Sequence, residues 1–335
     1  MGEGPFKPKI VIMEIGSFIE LDLRCTGEYF KGNNKIARLN SARAGIYHAC
    51  RLLNCNSIHI PYYLCSTVKE FLIKHKIEIN NYYINESFEP KNLNPQKNQA
   101  ILIVNYFGIL SNEKIKLLSS QFRNVIIDCS AAFYSEPLDN CYNIYSPRKF
   151  FGVPDGCYVI GNNANNLIEE YSQDFSSPTS SFLLKRIEFG LTPTYNERME
   201  NETRINKSDI LKMSLLTKSL LGGIDYRVIK KKRLNNFHIV SDLFRSINMI
   251  DPLTSFDYSC TPMVYPLVIE RRDLINKLKA MQLYVGRWWN HVLTEVPENT
   301  FEAWLSKFML PIPIDQRYNK TDMLHIHDMI IKCLK

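Results

Sequence analysis

Apolar residues fall in short clusters that switch between strand-like and helix-like spacing, most regularly over residues 41–161. Ser57-Ile58-His59-Ile60 reads as a short strand closed by Pro61, and Val68, Phe71 and Leu72 then recur at helical spacing over about residues 66–74. Residues 77–83 alternate and end in polar positions. Ala100-Ile101-Leu102-Ile103-Val104 is an unbroken apolar run, the pattern of a strand buried on both faces. A helix over about 112–120 leads to a strand at 124–128, and 141–145 and 157–160 read as two further strands. This alternation predicts an α/β fold with a mainly parallel sheet covered by helices, whose ligands sit at the carboxyl ends of the strands.

After Gly161 the pattern changes. Residues 162–181 are polar and read as partly helical, and 182–208 as irregular, with Gly190, Pro193 and a charged stretch at 196–204. A long helical pattern spans 209–244, broken near Gly222-Gly223, with Ser208 as its expected N-cap. Beyond Pro262 follow a strand (263–269), a helix (272–281), a short strand at Tyr284-Val285, the apolar segment Met309-Leu310-Pro311-Ile312-Pro313-Ile314 and a final helix. The expected division is an N-terminal segment, 1–34, packing with the small domain; a large domain, 35–208; and a small α+β C-terminal domain, 209–335, that includes the connecting helix. Residues 1–34 carry little pattern beyond the apolar stretch from Ile10 to Met13.

Composition narrows the class. The 335 residues exceed one typical core, and 45% hydrophobic with 22% charged residues is ordinary for a globular protein. The net charge of +7 is spread along the chain. Its densest run, Lys230-Lys231-Lys232-Arg233, reads as a solvated helix face, with an anionic partner as the alternative. No basic run is interleaved with stacking aromatics, which argues against nucleic acid. Nine cysteines without a Cys-x-x-Cys pair suggest reduced, buried thiols in a cytoplasmic protein. No signal sequence and no apolar run near membrane-spanning length is found, so membrane insertion is not expected. His325-x-His327 does not share one helix face and lacks further ligands, so no metal is expected.

Two motifs carry chemistry. In Tyr145-Ser146-Pro147-Arg148-Lys149-Phe150-Phe151-Gly152-Val153-Pro154-Asp155-Gly156, a lysine stands in a turn rich in Pro and Gly. Upstream, Asp128 ends the apolar run Val125-Ile126-Ile127. A lysine and a carboxylate from neighbouring strand ends are what pyridoxal phosphate (PLP) requires. The lysine bonds the cofactor aldehyde, and the carboxylate keeps the pyridine nitrogen protonated. Taken alone, Asp128 reads more readily as a helix cap or turn former than as a catalytic group, and Lys149 as an exposed loop residue. The apolar residues after Lys149 argue for a partly desolvated amine, hence a better nucleophile. Ser41-Ala42-Arg43-Ala44-Gly45 opens a helix; its free N–H groups suit a phosphate, to which Arg43 would add a charge-assisted bond. The alternative is a plain cap with a solvated arginine. Arg287-Trp288-Trp289 is a candidate sugar or nucleotide wall, or a buried aromatic pair.

In this order the motifs resemble the DegT/DnrJ/StrS family of sugar aminotransferases, fold-type-I PLP-dependent enzymes. The resemblance is clear over about residues 40–161 and weak over 210–335. Ser41 to Ile46 matches the family's phosphate turn, Ile60-Pro61-Tyr62-Tyr63 its segment near the ring, and Val104-Asn105-Tyr106-Phe107-Gly108 its strand-end loop. Asp128 matches the pyridine-nitrogen aspartate, Ser146-x-x-Lys149 the serine and cofactor lysine, and Phe308 to Ile312 the late apolar segment. The resemblance implies transfer of an amino group from an amino acid, expected to be glutamate, to a nucleotide-linked keto sugar in surface polysaccharide or glycan synthesis. It also implies a homodimer. A sugar dehydratase or a non-catalytic nucleotide-sugar-binding homologue on the same scaffold are the alternatives. Implied cofactor contacts are Ser41, Ala42, Arg43, Tyr63, Asp128, Ala131, Ser146 and Lys149, and implied substrate contacts Tyr106, Arg287 and Trp288. Departures are Ala131, where the family carries Gln or His, and Arg43, where it carries Thr or Ser. The neighbour-subunit Asn-x-Arg element has one loose match, Asn196-Glu197-Arg198.

Overall fold

The strands predicted between residues 57 and 160 all form, and β-branched and aliphatic side chains dominate the central ones. A computed structural model describes residues 16–23, 26–32 and 35–335. The first half contains β1 (Ile36–Leu39), α1 (Ala42–Leu52), β2 (Ser57–Pro61), α2 (Ser66–Lys74), β3 (Glu78–Tyr82), β4 (Ala100–Val104), α3 (Asn112–Ser119), β5 (Val125–Asp128), β6 (Tyr142–Tyr145) and β7 (Cys157–Ile160). These strands form one seven-stranded sheet in the order β1-β7-β6-β5-β4-β2-β3. β2 to β6 pair in parallel, and β7 runs antiparallel to both β6 and β1. Every residue of β4 and β5 is buried, as their continuous apolar runs require. Val104 pairs with Asp128, and Asp128 with Ile144, so β4, β5 and β6 end level and deliver their following loops to one edge. Helix α1 packs on β6 and β7, with Gly45 at the closest approach: a Cβ there would lie 2.7 Å from Cys157 Sγ.

The second half is built from α4 (Ser181–Phe189), α5 (Tyr195–Lys207), α6 (Leu215–Gly222), α7 (Tyr226–Phe244), β8 (Val264–Val268), α8 (Leu274–Ala280), α9 (Val292–Glu295), α10 (Phe301–Phe308), β9 (Met309–Pro313) and α11 (Lys320–Leu334). β8 and β9 form an antiparallel pair against which α7 packs, and α11 lies across α7 and α8. Of the N-terminal segment, Tyr29 and Phe30 join an aromatic cluster with Phe133, Tyr145, Tyr158 and Tyr226 beside the large sheet. The stretch from Ile10 to Met13 and Cys25 lie outside the described residues.

Residues 182–208 are not irregular but hold α4 and α5. Helix α5 shows no apolar stripe because it buries Asn201 and Ile205 and is held through polar side chains: Asn201 Nδ2 donates to Pro154 O, and Arg204 pairs with Asp174 at 2.6 Å. Ser208 closes α5 instead of opening a helix, its hydroxyl donating to Ile205 O. The caps of the next two helices are Ser214 and Asp225, which accept from Thr217 N and Val228 N. Residues 162–180 form only short 3-10 turns. Tyr284-Val285 is not a strand, having no ladder partner among the described residues. The basic run also divides: Lys231 and Lys232 are exposed, whereas Arg233 is 2% exposed. The eight described cysteines are all unbonded. Among the described residues no helix is long and apolar enough to cross a membrane, and no His, Cys, Asp and Glu cluster could hold a metal.

Candidate active site

The level ends of β4, β5 and β6 open onto a cavity of about 450 Å³ beside the N-terminus of α1. Asp128, the last residue of β5, is buried, and its Oδ1 accepts the N–H of Ser130 at 2.8 Å, which turns the chain out of the sheet. After β6, Ser146 and Pro147 start a single 3-10 turn that ends at Lys149. The N–H groups of Phe150 and Phe151 both donate to Pro147 O at 2.9 Å. Those two phenylalanines turn into the core, against the expectation that they would surround the amine. Lys149 itself is exposed to the cavity, and its Nζ has no hydrogen-bond or ion-pair partner among the described residues.

The facing wall is the start of α1. Ser41 is extended (φ −153°, ψ 154°) and caps the helix by accepting from Ala44 N at 3.4 Å. Arg43 is not solvated. It is 7% exposed, donates from Nη1 to Asn206 Oδ1 and from Nη2 to Ile205 O, both at 2.8 Å, and so ties α1 to α5. Burial, and then the neighbouring Arg148 charge, push its pKa down from the usual arginine range. Arg148 pairs with Glu202 of α5. Three buried atoms of cavity-lining residues have no partner among the described residues: Arg43 Nε, Arg148 Nε and Ser130 Oγ.

The roof holds Tyr106, Trp288 and Trp289. Burial pushes the Tyr106 phenol well above its ordinary pKa, keeping it a donor, and it bonds Tyr63 O at 2.8 Å. Phe107, forced to φ 58°, stacks on Trp288 with centroids 5.4 Å apart. The cavity thus brings together Ser41, Ala42, Arg43, Tyr106, Asp128, Ala131, Ser146, Lys149 and Trp288. Two expected contacts stay out of its lining. Tyr63 is fully buried behind it, edge-on to Trp289 at 4.5 Å, and Arg287 turns away to donate to Arg272 O. Trp289 joins the cavity together with Trp288, as the candidate aromatic wall expects, whereas Arg148, Glu202 and Asn206 line it without having been expected there. Arg148 directly precedes Lys149 in the Pro- and Gly-rich turn, but Glu202 and Asn206 stand on α5, which has no periodic apolar signal. Arg198, of the Asn-x-Arg match, lines this chain's own cavity. A larger space of about 650 Å³ near Phe88 and Trp304 is lined by three carboxylates and no lysine, arginine or histidine.

A lysine and an aspartate at adjacent parallel strand ends, facing a helix N-terminus, sit on the fold of PLP-dependent aminotransferases. The structure superposes on the sugar aminotransferase CalS13 from Micromonospora echinospora with a TM-score of 0.62 at 12% identity, covering 89% of this chain and 87% of that one. An aminotransferase from Psychrobacter cryohalolentis gives 0.60 at 13% identity, over 89% and 87%. Spr1654 from Streptococcus pneumoniae, named as a sugar aminotransferase and solved in its PLP form, gives 0.61 at 13%, over 90% and 88%. No protein-family model and no curated protein sequence matches the chain.

Proposed function

We propose that this protein is a PLP-dependent aminotransferase that moves an amino group from an amino acid, glutamate, to a nucleotide-linked keto sugar. It would act as a cytoplasmic homodimer in surface polysaccharide or glycan synthesis. The observation that carries the reading is the convergence on one cavity of Lys149 and two guanidinium Nε atoms, all without partners among the described residues, with the buried Asp128. Buried polar atoms without partners are rare in native proteins, and here they fit a phosphorylated ligand. Ser41, Ala42 and Arg43 would hold the phosphate, Asp128 the pyridine nitrogen, and Lys149 the aldehyde, with Ser146 alongside. When bound, PLP supplies an electron sink that acidifies the donor's α-carbon.

The chain's own groups supply the rest. Lys149 Nζ, unbonded among the described residues, would take the proton from the donor's α-carbon and later return one to the sugar. Proton transfer by a positioned side chain contributes on the order of 10²–10⁴ in rate. Tyr106, Trp288 and Trp289 exclude water from above, and Arg198 at the α5 wall would meet the anionic part of a substrate. Ala131 offers only a methyl where the resembled family places a hydrogen-bonding side chain. That departure favours, as a second reading, a homologue that binds cofactor and nucleotide sugar without transferring an amino group, or a dehydratase.

The test is the visible spectrum of purified protein with added PLP. A yellow band that disappears on borohydride treatment, and is missing in Lys149→Ala, supports the reading. A protein that stays colourless sinks it. Glutamate-dependent conversion of bound cofactor to its amine form separates a transaminase from the non-catalytic homologue, and ammonia release would mark the dehydratase.

A further inference from the structure

Arg233, the last residue of the basic run on α7, is the one member that leaves solvent. Its guanidinium is 2% exposed and forms no ion pair among the described residues. Its hydrogen-bond acceptors are neutral oxygens instead. Nε donates to Gln316 Oε1 at 3.1 Å, Nη1 to Met263 O at 3.0 Å and Pro262 O at 3.4 Å, and Nη2 to Phe150 O at 3.5 Å. The same guanidinium lies 4.5 Å from the centroid of the Phe150 ring. Gln316 completes the arrangement by donating from Nε2 to Phe150 O at 2.8 Å. Phe150 is therefore held at its ring and at its carbonyl, and it directly follows Lys149.

The partners come from both halves of the chain. Pro262 and Met263 lead into β8, Gln316 follows β9, and Phe150 belongs to the lysine turn. Met263 N also donates to Phe107 O at 2.8 Å, which draws the Tyr106 loop into the same joint. A planar fork with five donors can serve this many acceptors at once, and a lysine cannot. Burial pushes the Arg233 pKa down to about 10, so the group remains charged across the neutral range.

We propose that Arg233 is a positioning residue for Lys149: with Gln316 it clamps Phe150 and so fixes the turn that presents the amine to the cavity. The functional part of this inference rests on the cofactor role given to Lys149 above. The clamp itself does not.

The experiment uses the full chain as wild type, Arg233→Met and Gln316→Leu, with the exposed Lys231→Met as control. In cofactor-free protein, amide hydrogen exchange over residues 148–153 is expected to accelerate about tenfold or more in both clamp variants, while exchange in β4 and β5 stays as in wild type. With PLP added, the pH at which the Lys149-dependent absorbance band titrates is expected to move in the clamp variants and not in the control. Equal acceleration throughout β4 and β5 would show a merely structural arginine and overturn the proposal. An unchanged turn, or a band whose titration is unmoved, would overturn it as well. Should Arg233→Met fail to fold, Gln316→Leu decides by the same readings. A wild-type protein that forms no band defeats the proposed function, while exchange still decides the clamp.

Discussion

Gly108→Ala tests how the strand-end loop of β4 shapes the cavity. Gly108 has φ +81°, and a Cβ built on it would stand 2.4 Å from Ala131 O, 3.0 Å from Pro262 Cα and 3.2 Å from Thr261 O. All three neighbours are backbone atoms, so no side-chain rotation relieves the clash. A left-handed conformation costs an L-residue roughly 1–2 kcal/mol, and overpacking a dense site costs about 1–3 kcal/mol. Together they predict a loss of about 2–5 kcal/mol, measured by urea unfolding followed by circular dichroism. Because the displaced atom is the carbonyl of Ala131, whose neighbour Ser130 also lines the cavity, PLP affinity is expected to fall as well. Gly222→Ala is the control. Gly222 ends α6 with open space where the methyl would go, and the change should be neutral or stabilise by up to about 1 kcal/mol through the unfolded chain. A Gly108→Ala protein within about 1 kcal/mol of wild type would refute the reasoning.

Two further outcomes follow from buried charges. Arg43→Met removes a guanidinium at the α1 N-terminus, and a lost charge-assisted bond of about 1.5–3 kcal/mol predicts PLP binding weaker by roughly one to two orders of magnitude; pyridoxal without phosphate should bind wild type and variant alike, and a parallel loss for both ligands would remove the phosphate role. Glu302 is 1% exposed; burial pushes its pKa above the ordinary carboxylate value, opposed by the hydrogen bond it accepts from Ile84 N. The unfolded chain therefore releases this proton first, so stability from this group is full below the unfolded pKa and is lost as pH rises through the folded one. Glu302→Gln keeps the acceptor and removes the titration, so urea unfolding should show the variant gaining on wild type as pH rises above the ordinary glutamate range, and a constant difference would contradict the assignment.

The central strands of the large sheet were legible because they bury local, uninterrupted apolar runs, such as Ala100–Val104, whose meaning does not depend on distant partners. The edge strand β1, Ile36–Leu39, has no such run and was not expected. That Asp128 and Lys149 come to one cavity was expected for a related reason: a charged residue closing an apolar strand, or set in a Pro- and Gly-rich turn, is conspicuous in one dimension. Helix α5 was not, since what it buries is Asn201 and what holds it is Arg43, Arg148 and Asp174, residues far away along the chain. Tyr63 and Tyr106 show the same limit. Both are buried tyrosines near strand ends, and only packing sends one behind the cavity and the other into its wall. Arg233 is the sharpest case, because its three lysine neighbours give it the look of a solvated face. Periodicity and turn chemistry are local and set the elements, their order and the two charged residues at the strand ends. Which polar side chains leave water is decided by acceptors that meet only once the two halves pack, and that decision belongs to the tertiary structure.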